Sequence, residues 1–220
     1  MKRLLTTALL AAPLLASAAP PINLLSDGSF ESGLASWTTT NTGAFTYGPT
    51  PFSYSTSLAQ VFEVVAPDSA ASMSPDATGL KAVWLVDDSA TNIQSLSQSF
   101  SVASAGLYTA GFSVYATASG YGNANNAAFS AAIDGAPIAT TSSTVAGLSN
   151  STWTALSGMS ALTAGSHTFS ISFAASGVPS KDIVIDRAFV TSAVPEPESY
   201  ALMALGLAFV GAFARRRNRA

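Results

Sequence analysis

Cysteine is absent, histidine occurs once, and between residues 22 and 192 only Lys81, Lys181 and Arg187 carry positive charge. Without thiols there is no disulfide, no cysteine nucleophile, no thiolate zinc site and no iron–sulfur cluster. Stability must come from an apolar core or a bound ion. One histidine, His167, cannot build a His-rich zinc site, and any Ser-His-Asp triad would have to use it. It follows Ala164-Gly165-Ser166 at the start of an alternating segment, where a structural role is expected. The same span holds ten acids, which gives it a formal charge of −7. The whole-chain value of −3 conceals this, because six of the nine bases lie near the two ends. An acidic, base-poor span lacks the electrostatic footprint of a nucleic-acid binder. Charged residues are 10% of the chain, so Ser, Thr and Asn must carry most of the solubility. The chain has no Gly-x-Ser-x-Gly elbow, His-Glu-x-x-His helix or phosphate-binding glycine loop. Asp87-Asp88 is the nearest approach to paired catalytic carboxyls. Neighbouring residues on a strand face opposite ways, so the pair reads as a strand-ending turn rather than a glycosidase dyad.

What is present is period-two alternation. Tyr108, Ala110, Phe112, Val114 and Ala116 are separated by Thr109, Gly111, Ser113 and Tyr115. His167, Phe169, Ile171 and Phe173 alternate with Thr168, Ser170 and Ser172. This is the pattern of half-buried antiparallel strands. Further strands are expected at Leu58–Val65, Leu80–Val86, Leu96–Val102, Ala127–Ile133 and Asp182–Val190. Asp134-Gly135, between Ala127–Ile133 and Ala136–Thr140, favours a tight type I′ hairpin. Pro49–Tyr54, Ala66–Gly79 and Ser119–Asn126 read as loops, and no long amphipathic helix interrupts the strands. The expected fold is all-β: one antiparallel jelly-roll sandwich over residues 22–192.

Both ends stand apart from that domain. Lys2 and Arg3 precede an apolar stretch, Leu4 to Leu15, and then Ala16-Ser17-Ala18. These are the three parts of a secretory signal peptide, residues 1–18, with a small-residue cleavage site. At the other end Pro195-Glu196-Pro197 precedes an uncharged run from Tyr200 to Ala214, and Arg215, Arg216 and Arg217 follow. As a helix over about 199–214 this run reaches roughly 22 Å, short of the roughly 30 Å core of a bilayer. It suits a transient membrane anchor, with the arginines left on the cytoplasmic side and the domain outside.

The tail, residues 194–219, closely resembles the PEP-CTERM sorting signal: Pro-Glu-Pro, a glycine-containing apolar helix, and a terminal arginine cluster. That resemblance implies a bacterial substrate of an exosortase, which would remove the tail near Pro195–Pro197 and release the protein to the surface or matrix. Proteins of this class are associated with exopolysaccharide and biofilm. A second resemblance lies in the domain. Asn23-Leu24-Leu25-Ser26-Asp27-Gly28-Ser29-Phe30-Glu31-Ser32-Gly33, with Trp37 beyond it, looks like the opening of galactose-binding-like and carbohydrate-binding-module jelly rolls. Ile183–Val190 looks like their last strand. This second resemblance implies a structural calcium site at Glu31 and Asp186, although Arg187 stands where the family often has a second acid. Calcium takes six to eight oxygens, many of them backbone carbonyls, so two carboxylates can suffice.

Sugar binding would use aromatic rings stacked on apolar sugar faces. Tyr115, expected to point off the apolar face of its strand, Tyr121 in the Asn-rich loop, and Trp84 are the candidates; Trp153 is less clear and Trp37 reads as core. The function expected is non-catalytic association with extracellular polysaccharide. A structural or adhesive matrix protein without glycan specificity is the alternative, and a glycoside hydrolase a remote one.

Overall fold

The computed structural model describes residues 21–42, 48–54, 79–86, 89–116, 124–149, 152–193 and 204–208. The expected strand at Leu58–Val65, the Asp87-Asp88 turn, the signal peptide, Tyr121, Pro195–Pro197 and Arg215–Arg217 lie outside them. Residues 22–193 form one compact unit. In chain order its strands are β1 (Thr38–Asn41), β2 (Thr50–Ser53), β3 (Lys81–Leu85), β4 (Ile93–Val102), β5 (Gly106–Ala116), β6 (Ala128–Ile133), β7 (Ala136–Pro137), β8 (Ser143–Thr144), β9 (Trp153–Leu162), β10 (Gly165–Ala174) and β11 (Ile183–Ser192). They make two antiparallel sheets. The first runs β1-β4-β10-β6-β7, with β8 also on β6; the second runs β2-β3-β11-β5-β9. The expected jelly-roll sandwich is what these residues build.

The core lies between the sheets, and alternation puts it there. In β10, His167, Phe169, Ile171 and Phe173 are buried, whereas Ser166 and Thr168 are exposed and Ser170 and Ser172 half-buried. β4 does the same with Gln94, Leu96, Gln98, Phe100 and Val102. Phe112 of the second sheet meets Phe129 of the first edge to face, 6.2 Å between centroids. A fully buried ring of this size contributes about 2 kcal/mol through area removed from water. The outward positions of the first sheet form ordered cross-strand rows of hydroxyls: Thr38, Ser97 and Ser170, then Thr40, Ser95, Ser172 and Ser130. Thr40 and Ser95 are hydrogen-bonded at 2.5 Å.

The second sheet departs from simple alternation. In β5 every residue from Ala110 to Ala116 is buried, as is every residue of β11 from Ile183 to Asp186. Both faces of these central strands are covered, the inner one by the main core and the outer one by a second apolar cluster.

The N-terminal segment is stitched to β11. Asn23 Nδ2 donates to the Ala188 carbonyl at 2.9 Å, and its Oδ1 accepts from the N–H of Leu25 at 3.1 Å and of Val190 at 3.0 Å. A Cβ on Gly28 would stand 2.0 Å from the Ala188 oxygen, so the close passage of this segment over β11 requires glycine. Trp37 is core, as expected, and its Nε1 donates to the Asp27 carbonyl at 3.2 Å.

Several expectations are corrected. Residues 50–53, read as loop, are β2: an edge strand tolerates Pro51, whose missing N–H costs no ladder bond there. Ala136–Thr140 is strand only to Pro137, and a 3-10 turn follows at Ala139–Thr141. β1 and β9 were not anticipated; β9 is a ten-residue strand of mostly small, weakly apolar residues. The hairpin at Asp134-Gly135 has the two positive φ angles of a type I′ turn, 51° and 78°. Of the expected C-terminal helix, residues 204–208 are described; they are helical and exposed. Among the described residues no helix is long and apolar enough to cross a membrane.

Candidate functional site

The second cluster, on the outer face of the second sheet, is the feature that the fold alone does not demand. Phe52 and Tyr54 come from β2 and its end, Trp84 from β3, Val184 from β11, and Tyr115 from β5. Trp153, at the start of the edge strand β9, packs against them. Register aligns these positions. Thr50 pairs with Trp84, Trp84 with Val184, Val184 with Tyr115, and Tyr115 with Trp153, in one row across all five strands. Phe52 and Tyr54 meet edge to face at 5.6 Å. Tyr54 and Trp153 do so at 6.4 Å, and Trp153 tilts against Tyr115 at 5.4 Å.

Trp84 and Tyr115 are thus brought together, and Tyr115 does point off the core face. Both are corrected in one respect: neither is an open ring. Tyr115 is 0% exposed and Trp84 1%, and both pack within the cluster. Trp153 is the half-exposed ring of the cluster. Reading the sequence missed Tyr54 and Phe52, because Pro49 and Pro51 disguised their strand. The available signal was the Phe52-x-Tyr54 alternation itself.

Beside the rings lies a buried carboxylate. Asp186 is 0% exposed. Its Oδ2 accepts from the Tyr54 hydroxyl at 2.7 Å and its Oδ1 from the Arg187 N–H at 2.6 Å. Register slips between Asp186 and Phe189, and Arg187 sits in the left-handed region with φ 53°, so a bulge aims that N–H at the carboxylate. Glu31, on the N-terminal segment, spends its Oε1 on the N–H groups of Leu80 at 2.9 Å and Lys81 at 3.1 Å, at the start of β3. Glu31 and Asp186 therefore serve the same corner of the second sheet. The groups aimed at them are N–H and O–H donors, which a calcium ion would have to displace.

His167 occupies the structural role expected of it. Its Nδ1 lies 2.6 Å from Asp134 Oδ2 and its Nε2 lies 2.9 Å from the Thr163 carbonyl. Two acceptors call for two N–H groups, so this geometry selects the imidazolium. The bond to Asp134, then that to Thr163, raises the His167 pKa above its ordinary value. The bond from His167, then the N–H of Thr168, holds Asp134 below the ordinary carboxylate value. Both residues are committed to the hairpin. Among the described residues no three His, Cys, Asp or Glu side chains gather as a metal centre would require.

Residues 193–218 match the PEP-CTERM protein-sorting motif, which marks an exported protein sorted to the cell envelope. No curated protein sequence matches the chain. Among solved structures, the carbohydrate-binding module TmCBM61, in complex with beta-1,4-galactotriose, is similar with a TM-score of 0.53 and 15% identity. The match covers 78% of this chain and 99% of that one. The enzymatically active domain of tailspike protein 4 from bacteriophage CBA120 has a TM-score of 0.50 and 15% identity. That match covers 78% of this chain but only 21% of the tailspike chain. A xylan-binding domain of Xyn10C from Paenibacillus barcinonensis follows with a TM-score of 0.48 and 13% identity, over 81% of this chain and 99% of that domain. At such identities the likeness is one of fold.

Proposed function

We propose that this is a non-catalytic glycan-binding protein, sorted by its PEP-CTERM tail and associated with exopolysaccharide outside the cell. The observation that carries the reading is the aromatic row on the outer face of the second sheet. A two-layer sandwich needs its apolar residues between the layers, and this one spends five further rings, Phe52, Tyr54, Trp84, Tyr115 and Trp153, on the outside. Rings offer flat amphipathic surface that matches the apolar faces of sugars. The half-exposed Trp153 is the contact ring, and Tyr115, Tyr54 and Trp84 buttress it. TmCBM61, with the same fold, is a galactotriose binder, which supports an oligosaccharide as the ligand class. The tail supports the location: exosortase processing near Pro195–Pro197, after a short stay in the membrane.

Absence of catalysis is part of the proposal. His167 and Asp134 are committed to a hairpin, and Glu31 and Asp186 to backbone and tyrosine donors. The experiment is a polysaccharide pull-down and titration with residues 22–193 and the Trp153→Ala variant. Wild-type binding should fall about two- to twelvefold in the variant, since one stacked ring contributes about 0.5–1.5 kcal/mol beyond the area it buries. A wild-type domain that binds no glycan yet self-associates with concentration would replace this reading with that of an adhesive matrix protein.

A further inference from the structure

We infer that Asp186 is a positioning residue of the aromatic face: it fixes the Tyr54 hydroxyl, and through the Tyr54 ring the half-exposed Trp153, and does this without calcium. The inference shares its face with the function proposed above, but two of its three readouts need no sugar.

Four observations converge. Asp186 lies on the outward side of β11, in register with the buried Ser113, and is inaccessible to solvent. A carboxylate so placed is tolerated only with hydrogen-bond donors, and each of its oxygens accepts one, at 2.7 Å from Tyr54 and 2.6 Å from Arg187. Tyr54 is held at its other end as well, since its N–H donates to the Leu80 carbonyl at 2.9 Å. Its ring is therefore fixed at backbone and hydroxyl, and it stands edge to face with both Phe52 and Trp153.

The donor set argues against a cation. Calcium ligation requires oxygen lone pairs directed at the ion. Here the hydroxyl hydrogen of Tyr54 and the amide hydrogens of Arg187, Leu80 and Lys81 are directed at the carboxylates of Asp186 and Glu31. By these bonds Glu31 ties the N-terminal segment to the start of β3, and Asp186 ties β11 to Tyr54. The segment is further held by the Ala188 N–H, which donates to the Gly28 carbonyl at 2.8 Å.

The test uses the domain 22–193, which carries both sheets and the whole core, as wild type, Tyr54→Phe, Asp186→Asn and, as a control, Asp134→Asn. Thermal unfolding is followed with added calcium and with EDTA. Wild type should melt at the same temperature in both. A midpoint raised by calcium, lowered by EDTA and made insensitive to both by Asp186→Asn would overturn the inference. Acrylamide quenching of tryptophan fluorescence reads the second claim, because Trp37 and Trp84 are buried and Trp153 is not. Quenching should rise in Tyr54→Phe and stay unchanged in Asp134→Asn. Equal quenching in Tyr54→Phe and wild type would overturn it. Glycan titration is the third readout: Tyr54→Phe should bind about three- to tenfold more weakly, the range of one lost hydrogen bond, while Asp134→Asn, destabilised elsewhere, binds as wild type. Should Asp186→Asn fail to fold, Tyr54→Phe still decides the outcome. A wild type that binds no sugar ends the functional proposal and leaves the first two readouts intact.

Discussion

His167 and Asp134 show how much one pair of side chains can be made to report. Asp134 occupies the first left-handed position of the type I′ turn, and its carboxylate turns back to take the Thr168 N–H at 2.8 Å and the His167 ring. The His167 pKa is raised on folding, so its contribution is complete below the ordinary value of 6.5 and is lost as pH rises through the higher folded value. The Asp134 pKa is lowered, so its contribution is complete above the ordinary 3.8 and is lost as pH falls through the lower folded value. Wild type should be most stable between those two ordinary values and lose stability on either side. Urea midpoints measured across pH would check this, and the profile of Asp134→Asn should be flatter on both flanks. Identical profiles for the two proteins would remove the pair as the cause.

β10 and β9 are ten-residue strands of opposite legibility. β10 has core on one side and water on the other, so its sequence alternates between large apolar and hydroxyl side chains, and it could be read directly. β9 is an edge strand whose inner face carries Thr154, Leu156, Gly158 and Ser160; Gly158 is small because Thr140 and Ile138 crowd the place a Cβ would take. No large-small alternation survives there to be read. The aromatic row suffered similarly, since Tyr115 and Trp84 were legible singly but their meeting depends on the pairing of five strands, which no local pattern encodes. The energetic counterpart is testable. Phe169 is 0% exposed at the centre of β10, and Phe169→Ala should cost about 3–5 kcal/mol in denaturant unfolding. Met159→Ser, at a position 68% exposed on β9, should change stability by less than about 0.5 kcal/mol. A Met159 variant as damaging as the Phe169 variant would mean that the exposed face of β9 is covered in solution.

For the domain as a whole, the two outer faces are unlike. The first sheet presents uncharged hydroxyl rows, which is where the Ser- and Thr-borne solubility expected from composition is placed. The second presents the aromatic row. Neither face requires the domain's ends to meet, yet they do: Leu24 donates to the Val190 carbonyl at 2.8 Å, and Asn23 adds two bonds to the same strand and a third to Leu25. Asn23→Ala removes all three and strands the buried β11 partners, so it should cost about 2–3 kcal/mol, measured by urea unfolding of the domain. A loss under about half a kilocalorie would show that water replaces the asparagine at no penalty.

The chain leaves the domain from β11, which is an interior strand bonded to β3 on one side and, along nearly its full length, to β5 on the other. A load applied at Ala193 is therefore drawn along the strand axis, and the flanking ladders resist it together, in shear. An edge strand held the same way would peel one bond at a time. Flow dragging on this protein, while its carboxyl end is held, would meet a strand clamped on both sides first.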